Sequence, residues 1–295
     1  METQTALEQF EAQHGRFSFE DYHIKDGVYT RGGTSESRPY FAESLRKYKQ
    51  VITDFAGKPL SELRILDVGS LEGLYGVELA HAGARVVAVD ARADNLKRIA
   101  FVKQQCGLDN LELLNLDLRK LHPKVHGSFD VVLLLGILYH LDYPTLIDFL
   151  IRIRSMTRLF VLIDTHVSLF PRIKLRYRGR EYAGAAYPEH RPDDSEHTKI
   201  KVRIGASVGN DDSFWFTEAS LYNFLADYGY TSVLKIFAPS TPDQHLDRIS
   251  LLARPGTPVD LTVMPDFNGT PSRHWPEDRP AKLIDQVNML PNRGW

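Results

Sequence analysis

The sequence predicts an α/β fold built on a mostly parallel sheet covered by helices on both faces, and three observations lead there. From residue 64 onward, short apolar runs alternate with stretches of helical periodicity. The runs are continuously apolar rather than alternating, as expected of strands buried on both faces. Glycine or an acidic residue follows one strand after another, where a loop must turn or meet a ligand.

The elements follow in order. Residues 1–59 form an N-terminal extension with a short helix near 4–13, a loop running through Gly32-Gly33-Thr34-Ser35-Glu36-Ser37, and a helix from Tyr40 to Phe55. Apolar residues recur at helical spacing in that helix (Leu45, Tyr48, Val51, Ile52, Phe55), and Gly57-Lys58-Pro59 stops it. A core domain spans 60–254. Strands are expected at 64–68, 85–90, 111–114, 129–135 and 159–164, with helices at 74–82, 93–105 and 144–155 between them. An insertion at 167–213, rich in Arg, Tyr, Gly and Asp, interrupts the alternation. A helix at 217–228 restores it, and strands at 232–238 and 247–253 read as an antiparallel hairpin at the sheet edge. Residues 255–295 hold seven prolines and little periodicity, the pattern of a tail that wraps the domain, meets a partner or stays mobile. No internal repeat is present.

Composition narrows the classes. At 295 residues the chain fits one large α/β domain, or a core with added segments. Hydrophobic residues at 43% supply a core without staples, and a net charge of −2 gives no global signal for nucleic acid or a membrane surface. The single cysteine, Cys106, excludes an internal disulfide framework and a Cys-rich zinc site, and its helical setting reads as structural. The polar N-terminus is unlike a signal peptide, and the apolar run at 131–138 is far short of a membrane span, so a cytoplasmic protein without membrane association is expected.

The strongest local signal is Asp67-Val68-Gly69-Ser70-Leu71-Glu72-Gly73, between the first core strand and its helix. Glycine there lets backbone approach a ligand, and a helix N-terminus offers free N–H groups at the carboxyl edge of the sheet, where open α/β folds bind ligands. Asp90 ends the second strand, 23 residues after Asp67, placed to accept hydrogen bonds from ribose hydroxyls, with Ala91 and Arg92 following it. Asp117 follows the third strand, where it could accept a hydrogen bond from an adenine amino group. A dinucleotide is disfavoured, because the loop lacks Gly-x-Gly-x-x-Gly and Glu72 would oppose a diphosphate.

These segments resemble the cofactor-binding motifs of class I S-adenosyl-L-methionine (SAM)-dependent methyltransferases, well over residues 60–165 and more loosely over 213–254. The resemblance implies a Rossmann-like seven-stranded sheet in the order 3-2-1-4-5-7-6 and SAM as cofactor. It places Gly69, Ser70 and Gly73 beside the methionine part of the cofactor, Asp90 on the ribose, and Asp117 with Leu118 at the adenine. The middle glycine of the family's frequent Gly-x-Gly-x-Gly is absent here. The run Leu135-Gly136-Ile137-Leu138-Tyr139-His140 is similar to the strand-four loop of a subgroup that includes the tRNA wobble-uridine carboxymethyltransferases. There the tyrosine helps hold the carboxylate of carboxy-SAM, which implies cofactor contacts for Leu135 and Tyr139 and leaves SAM against carboxy-SAM open.

Two histidines are base candidates, His140 after the fourth strand and His166 after the fifth, since imidazole titrates near neutrality. Asp142 either orients His140 or caps the next helix. Asp164, His166 and His190 or His197 are an alternative divalent-metal set; no metal is expected. Five cations between Arg172 and Arg180 suit an anionic substrate, an RNA backbone, or merely a solvated edge strand. Phe214-Trp215-Phe216 either walls a substrate pocket or packs in the core, and Thr217 reads as an N-cap. Tyr22, Tyr29 and Arg31 are candidates to fold over the cofactor. The expected activity is methyl transfer to an O or N nucleophile of a small molecule. The alternatives are a tRNA-modifying (carboxy)methyltransferase and a non-catalytic SAM-binding protein, and association into a homodimer stays open.

Overall fold

A computed structural model describes residues 2–237, 247–271 and 273–277. Two amphipathic helices, α1 (Glu2–His14) and α2 (Arg38–Phe55), precede the sheet. The core then alternates β1 (Arg64–Val68), α3 (Leu74–His81), β2 (Arg85–Asp90), α4 (Ala93–Cys106), β3 (Leu111–Asn115), the short α5 (Pro123–His126), β4 (Phe129–Leu135), α6 (Tyr143–Met156) and β5 (Thr157–His166). Strands β6 (Ile173–Tyr177), β7 (Arg180–Pro188) and β8 (Asp212–Phe216) follow, then α7 (Glu218–Asp227), β9 (Tyr230–Lys235) and β10 (Arg248–Pro255).

The main sheet has seven strands in the order β3-β2-β1-β4-β5-β10-β9, parallel from β3 to β5 and closed by the antiparallel β10 and β9. This is the Rossmann-like order expected, with the last strand inserted beside β5. Strand β4 is buried along nearly its whole length, which explains its unbroken apolar run. Two cores result. One lies between the sheet and α6 and α7, around Phe149, Leu150 and Phe224; the other lies under α2, α3 and α4, around Ile52, Ile65 and Ile99. Strand β5 is longer than its apolar run because Arg248 to Ala253 pair along it up to His166. The last residue of the expected 232–238 strand, Ala238, lies outside the described residues.

The insertion is more ordered than its composition suggested. Strands β6, β7 and β8 form a second, antiparallel sheet. Its strand β6 alternates half-buried Ile173, Leu175 and Tyr177 with exposed Lys174 and Arg176, so the basic run is an edge strand and its turn. Gly184 is required in β7, where a Cβ would meet the Trp215 carbonyl at 2.2 Å. The tail folds back on α7. Asn223 exchanges hydrogen bonds with the Trp275 backbone, and the Glu277 carboxylate accepts from the hydroxyls of Thr217 and Ser220 at the N-terminus of α7. Residues 278–295, the rest of the expected tail, lie outside the described residues.

No helix among the described residues is long and apolar enough to cross a membrane. Cys106 is partly buried and donates to the Ile24 carbonyl, a structural contact with the N-terminal extension.

Candidate active site

A cavity of about 340 Å³ opens at the carboxyl ends of β1, β2, β3 and β4. Its floor is the loop after β1. Gly69 (φ +71°) donates its N–H to the Val89 carbonyl, and a Cβ on it would lie 2.9 Å from Ile137, so glycine is required on both counts. Leu71 adopts a positive φ of 49° and points its N–H at the Asp90 carboxylate, 3.0 Å away. The other Asp90 oxygen accepts from the Arg92 N–H at 2.7 Å. Asp90 thus shapes the loop as well as facing the cavity; burial raises its pKa although these amides oppose the shift.

Of the residues singled out in the sequence, Asp67, Gly69, Ser70, Asp90, Ala91, Asp117, Leu118, Leu135, Tyr139 and His140 line the cavity. Two buried side-chain atoms there, Asp67 Oδ2 and Ser70 Oγ, have no hydrogen-bond partner among the described residues. Burial pushes the Asp67 carboxyl up to about 7, with Asp90 adding to the rise and the Gly76 amide opposing it. Asp117 is held by its own loop instead of awaiting a ligand alone: its carboxylate takes the Arg119 guanidinium and N–H, and that pairing keeps it acidic.

Several expectations need correction. Gly73 does not line the cavity; its glycine serves packing, since a Cβ at φ +99° would meet Ile99 at 2.9 Å. Arg92 does not line it either. Its guanidinium donates to the carbonyls of Lys199, Ile200, Arg203 and Ala206, and so ties the insertion to the core. Glu72, expected to face the ligand, turns away to accept from Ser18, Phe19 and Glu20, with Arg98 3.5 Å away. His166 sits off the cavity, stacked on Trp215 and in contact with Asp247 at 3.1 Å, beside a second and much smaller pocket.

Asp142 caps α6 by accepting from the Thr145 N–H, so it does not orient His140. Phe214 and Phe216 pack in the core, whereas Trp215 stacks on Tyr187 and donates to the Tyr139 carbonyl. Among the described residues no group of three His, Cys, Asp or Glu side chains is placed to hold a metal. Asp164 is committed to Arg248, Tyr48 and Ser250, and His190 bonds the Ser207 carbonyl. None of residues 172–180 lines the cavity, and neither do Tyr22, Tyr29 or Arg31.

The structure adds residues that the sequence reading missed. Phe19 and Glu20 of the extension, Tyr40 and Phe41 of α2, Arg248 of β10 and the 204–210 loop of the insertion complete the walls. Glu189, just past β7, is the partner of His140: its Oε2 lies 2.9 Å from His140 Nδ1 and also accepts the Ser207 N–H at 2.7 Å. Burial would raise the Glu189 carboxyl, but His140 and the Ser207 amide outweigh it and hold the group below its usual range. Nothing in the run Tyr-Pro-Glu-His marked Glu189 in advance. Arg248 was foreseeable, because an antiparallel last strand enters the sheet at the ligand-binding edge.

Residues 65–158 match a family model described as a methyltransferase domain, so the matched stretch runs from β1 to the start of β5 and includes the strand ends that build the cavity. No curated protein matches the chain. Among solved structures, the N-terminal domain of EvdMO1 in the presence of S-adenosylhomocysteine (SAH) and D-fucose aligns with a TM-score of 0.63 and 22% identity, over 86% of this chain and 96% of that domain. Full-length EvdMO1 aligns at 0.53 and 20% identity, covering 86% of this chain and 47% of its own. Magnesium protoporphyrin IX methyltransferase from Synechocystis PCC 6803, with SAH bound, aligns at 0.50 and 15% identity, over 86% and 95% of the two chains. These identities establish a shared fold. The stretch that matches the methyltransferase-domain model thus forms most of a Rossmann-like sheet, with an N-terminal extension and an inserted antiparallel sheet built onto it.

Proposed function

We propose that the chain is a SAM-dependent methyltransferase acting on an oxygen or nitrogen nucleophile of a small molecule, with His140 as general base and Glu189 orienting it. The observation that carries this reading is the meeting, on one cavity, of a loop fitted for SAM and a carboxylate-supported histidine. The cofactor fit rests on unpartnered Asp67 Oδ2 and Ser70 Oγ, on the Gly69 turn where a Cβ would collide, and on Asp90 beside apolar Leu118 and Ile137. An acidic lining suits a ligand that carries a sulfonium and an ammonium. Two of the structural neighbours named above, the N-terminal domain of EvdMO1 and magnesium protoporphyrin IX methyltransferase, were solved with SAH, which supports the same cofactor class.

Asp90 and Ala91 would hold the ribose, Leu118 and Asp117 the adenine side, and Asp67, Gly69 and Ser70 the amino-acid end. SAM, when bound, supplies a methyl group already activated by its sulfonium. The protein's task is then to align the acceptor and take its proton. With Glu189 accepting a hydrogen bond at Nδ1, the neutral His140 ring keeps its lone pair on Nε2, the atom that receives a proton from an acceptor O–H or N–H. The imidazolium that forms is stabilised by the same carboxylate, and the rings of Tyr139 and Trp215 help fix the position of the loop.

A small acceptor is favoured over tRNA because the 204–210 loop, Phe19 and Phe41 share the cavity walls, while the basic edge strand lies off them. Calorimetry with SAM, followed by a screen of hydroxyl- and amine-bearing metabolites for SAH release, tests the reading. No binding of SAM by the intact chain refutes it; turnover of tRNA with no turnover of any metabolite would favour the RNA reading.

A further inference from the structure

We propose that Glu20, delivered by the N-terminal extension, is a binding residue for the α-ammonium group of the cofactor, acting with Asp67 at the amino-acid end of the site. This deepens the SAM reading and rests on it.

The geometry begins with Glu72. Its buried carboxylate accepts the N–H groups of Ser18, Phe19 and Glu20 at 2.8 to 2.9 Å, and the Tyr22 hydroxyl donates to its carbonyl. Thr30 donates its hydroxyl to the Glu20 carbonyl from the other side. A stretch of extension is thereby fixed against the loop after β1 with its side-chain directions set. Phe19 and Glu20 then line the cavity together with Asp67, Ser70 and Tyr75. Glu20 is 4% exposed, and one of its oxygens accepts the Leu74 N–H at 2.9 Å, at the start of α3.

A cap alone is a poor account of this carboxylate. A serine or asparagine would satisfy one amide at a helix start at less desolvation cost than a fully buried acid. Glu20 is instead placed among Asp67 of β1, Asp90 of β2 and Glu72 of the loop, each of which makes its ionisation harder. The hydroxyls of Tyr22 and Tyr75 are close by, and Arg98 of α4 is 3.5 Å from Glu72. Beside it, Asp67 Oδ2 and Ser70 Oγ are buried without a partner among the described residues. A concentration of buried acid on a cavity wall, with polar atoms left unpaired, is completed by a cationic donor of several hydrogen bonds. The ammonium of an amino acid has that chemistry, and three N–H bonds to distribute among Glu20, Asp67 and Ser70.

Proton linkage follows from the same geometry. Burial raises Glu20 well above the ordinary carboxyl range and Asp67 to about 7, so Asp67 keeps part of its proton near neutrality in the free site. An arriving ammonium favours the ionised acids, and binding then releases protons and strengthens as pH rises.

Isothermal titration calorimetry on the full chain tests the proposal with two probes: SAH, and 5′-methylthioadenosine, which keeps the nucleoside and lacks the amino acid. Glu20→Gln, which preserves shape and can still accept from Leu74, is expected to weaken SAH by roughly 10- to 100-fold, the scale of one charge-assisted hydrogen bond. Methylthioadenosine should change by less than about twofold, since no nucleoside contact is touched. In wild-type protein, titrations in buffers of different ionisation enthalpy should show more protons released with SAH than with methylthioadenosine. Equal weakening of both probes by Glu20→Gln would make Glu20 a structural cap and overturn the proposal. Equal proton release by the two probes in wild type would also overturn it, and needs no variant to fold. Wild type that binds neither SAM nor SAH removes the SAM reading itself, a distinct result.

Discussion

His140 Nδ1 and Glu189 Oε2 lie 2.9 Å apart, joining the loop after the fourth core strand to a residue delivered by the insertion. The proposed base is thus assembled from two parts of the chain, and the insertion supplies a hydrogen-bond partner as well as a wall. His140→Ala is expected to lower kcat by about 10² to 10⁴, the usual worth of a general base, with SAM affinity little changed. Glu189→Gln should lower kcat by roughly 10-fold or more with SAM affinity little changed, because the group that orients the ring is no longer an anion. Steady-state kinetics on an acceptor found by the SAH-release screen checks both. An unchanged kcat in Glu189→Gln would reduce Glu189 to a structural prop.

Asp90 accepts from Leu71 and Arg92 while facing the cavity, so its removal should disorder the loop and the nucleoside contact together. Asp90→Ala is expected to weaken SAH and methylthioadenosine alike, by roughly 10- to 100-fold. That common loss contrasts with the selective loss expected for Glu20→Gln, and the same calorimetry distinguishes them.

Arg92 makes four contacts with carbonyl groups between Lys199 and Ala206, a stretch that runs into the lining loop at 204–210. Arg92→Ala should release that stretch. Limited proteolysis is expected to cut at 195–206 several times faster, and the acceptor KM should rise more than kcat falls. Unchanged cleavage in this region would show that β7 and β8 hold the loop unaided.

Asp67 makes the free protein's stability depend on pH. Its folded-state pKa of about 7 lies above the value of about 3.9 for an unfolded aspartate. A raised acid binds more protons when folded, so its contribution is fully present below about pH 4 and is lost as pH rises through about 7. Asp67→Asn should therefore flatten the fall of Tm between pH 5 and 8 in the free protein and weaken SAH binding. Thermal melts across that range provide the check.

Asp164 has the opposite sign. Burial would raise its pKa, but Arg248 and the hydroxyls of Tyr48 and Ser250 outweigh this and hold it below the usual range. Its contribution is present above the unfolded pKa and is lost as pH falls through the folded one. Asp164→Ala would strand Arg248, half-buried beside Tyr139, and should cost about 3–5 kcal/mol in chemical denaturation.

The sequence by itself determined the parallel core, because burial on both faces leaves a direct imprint: strands such as Phe129–Leu135 are apolar throughout and their helices carry a 3.6-residue period. It also determined much of the cavity wall, since Asp67, Gly69, Asp90 and Asp117 are tied to strand ends whose position follows from the alternation. What only the tertiary structure decided is everything that reaches the cavity across long sequence separations. Glu20 arrives 54 residues before the helix it touches, and Glu189 lies 49 residues after the histidine it supports. Local periodicity carries no information about such pairings, because they depend on how the extension and the small antiparallel sheet dock onto the core. The same docking turned Glu72, in the loop after β1, and Arg92, just after β2, into anchors for those two added segments.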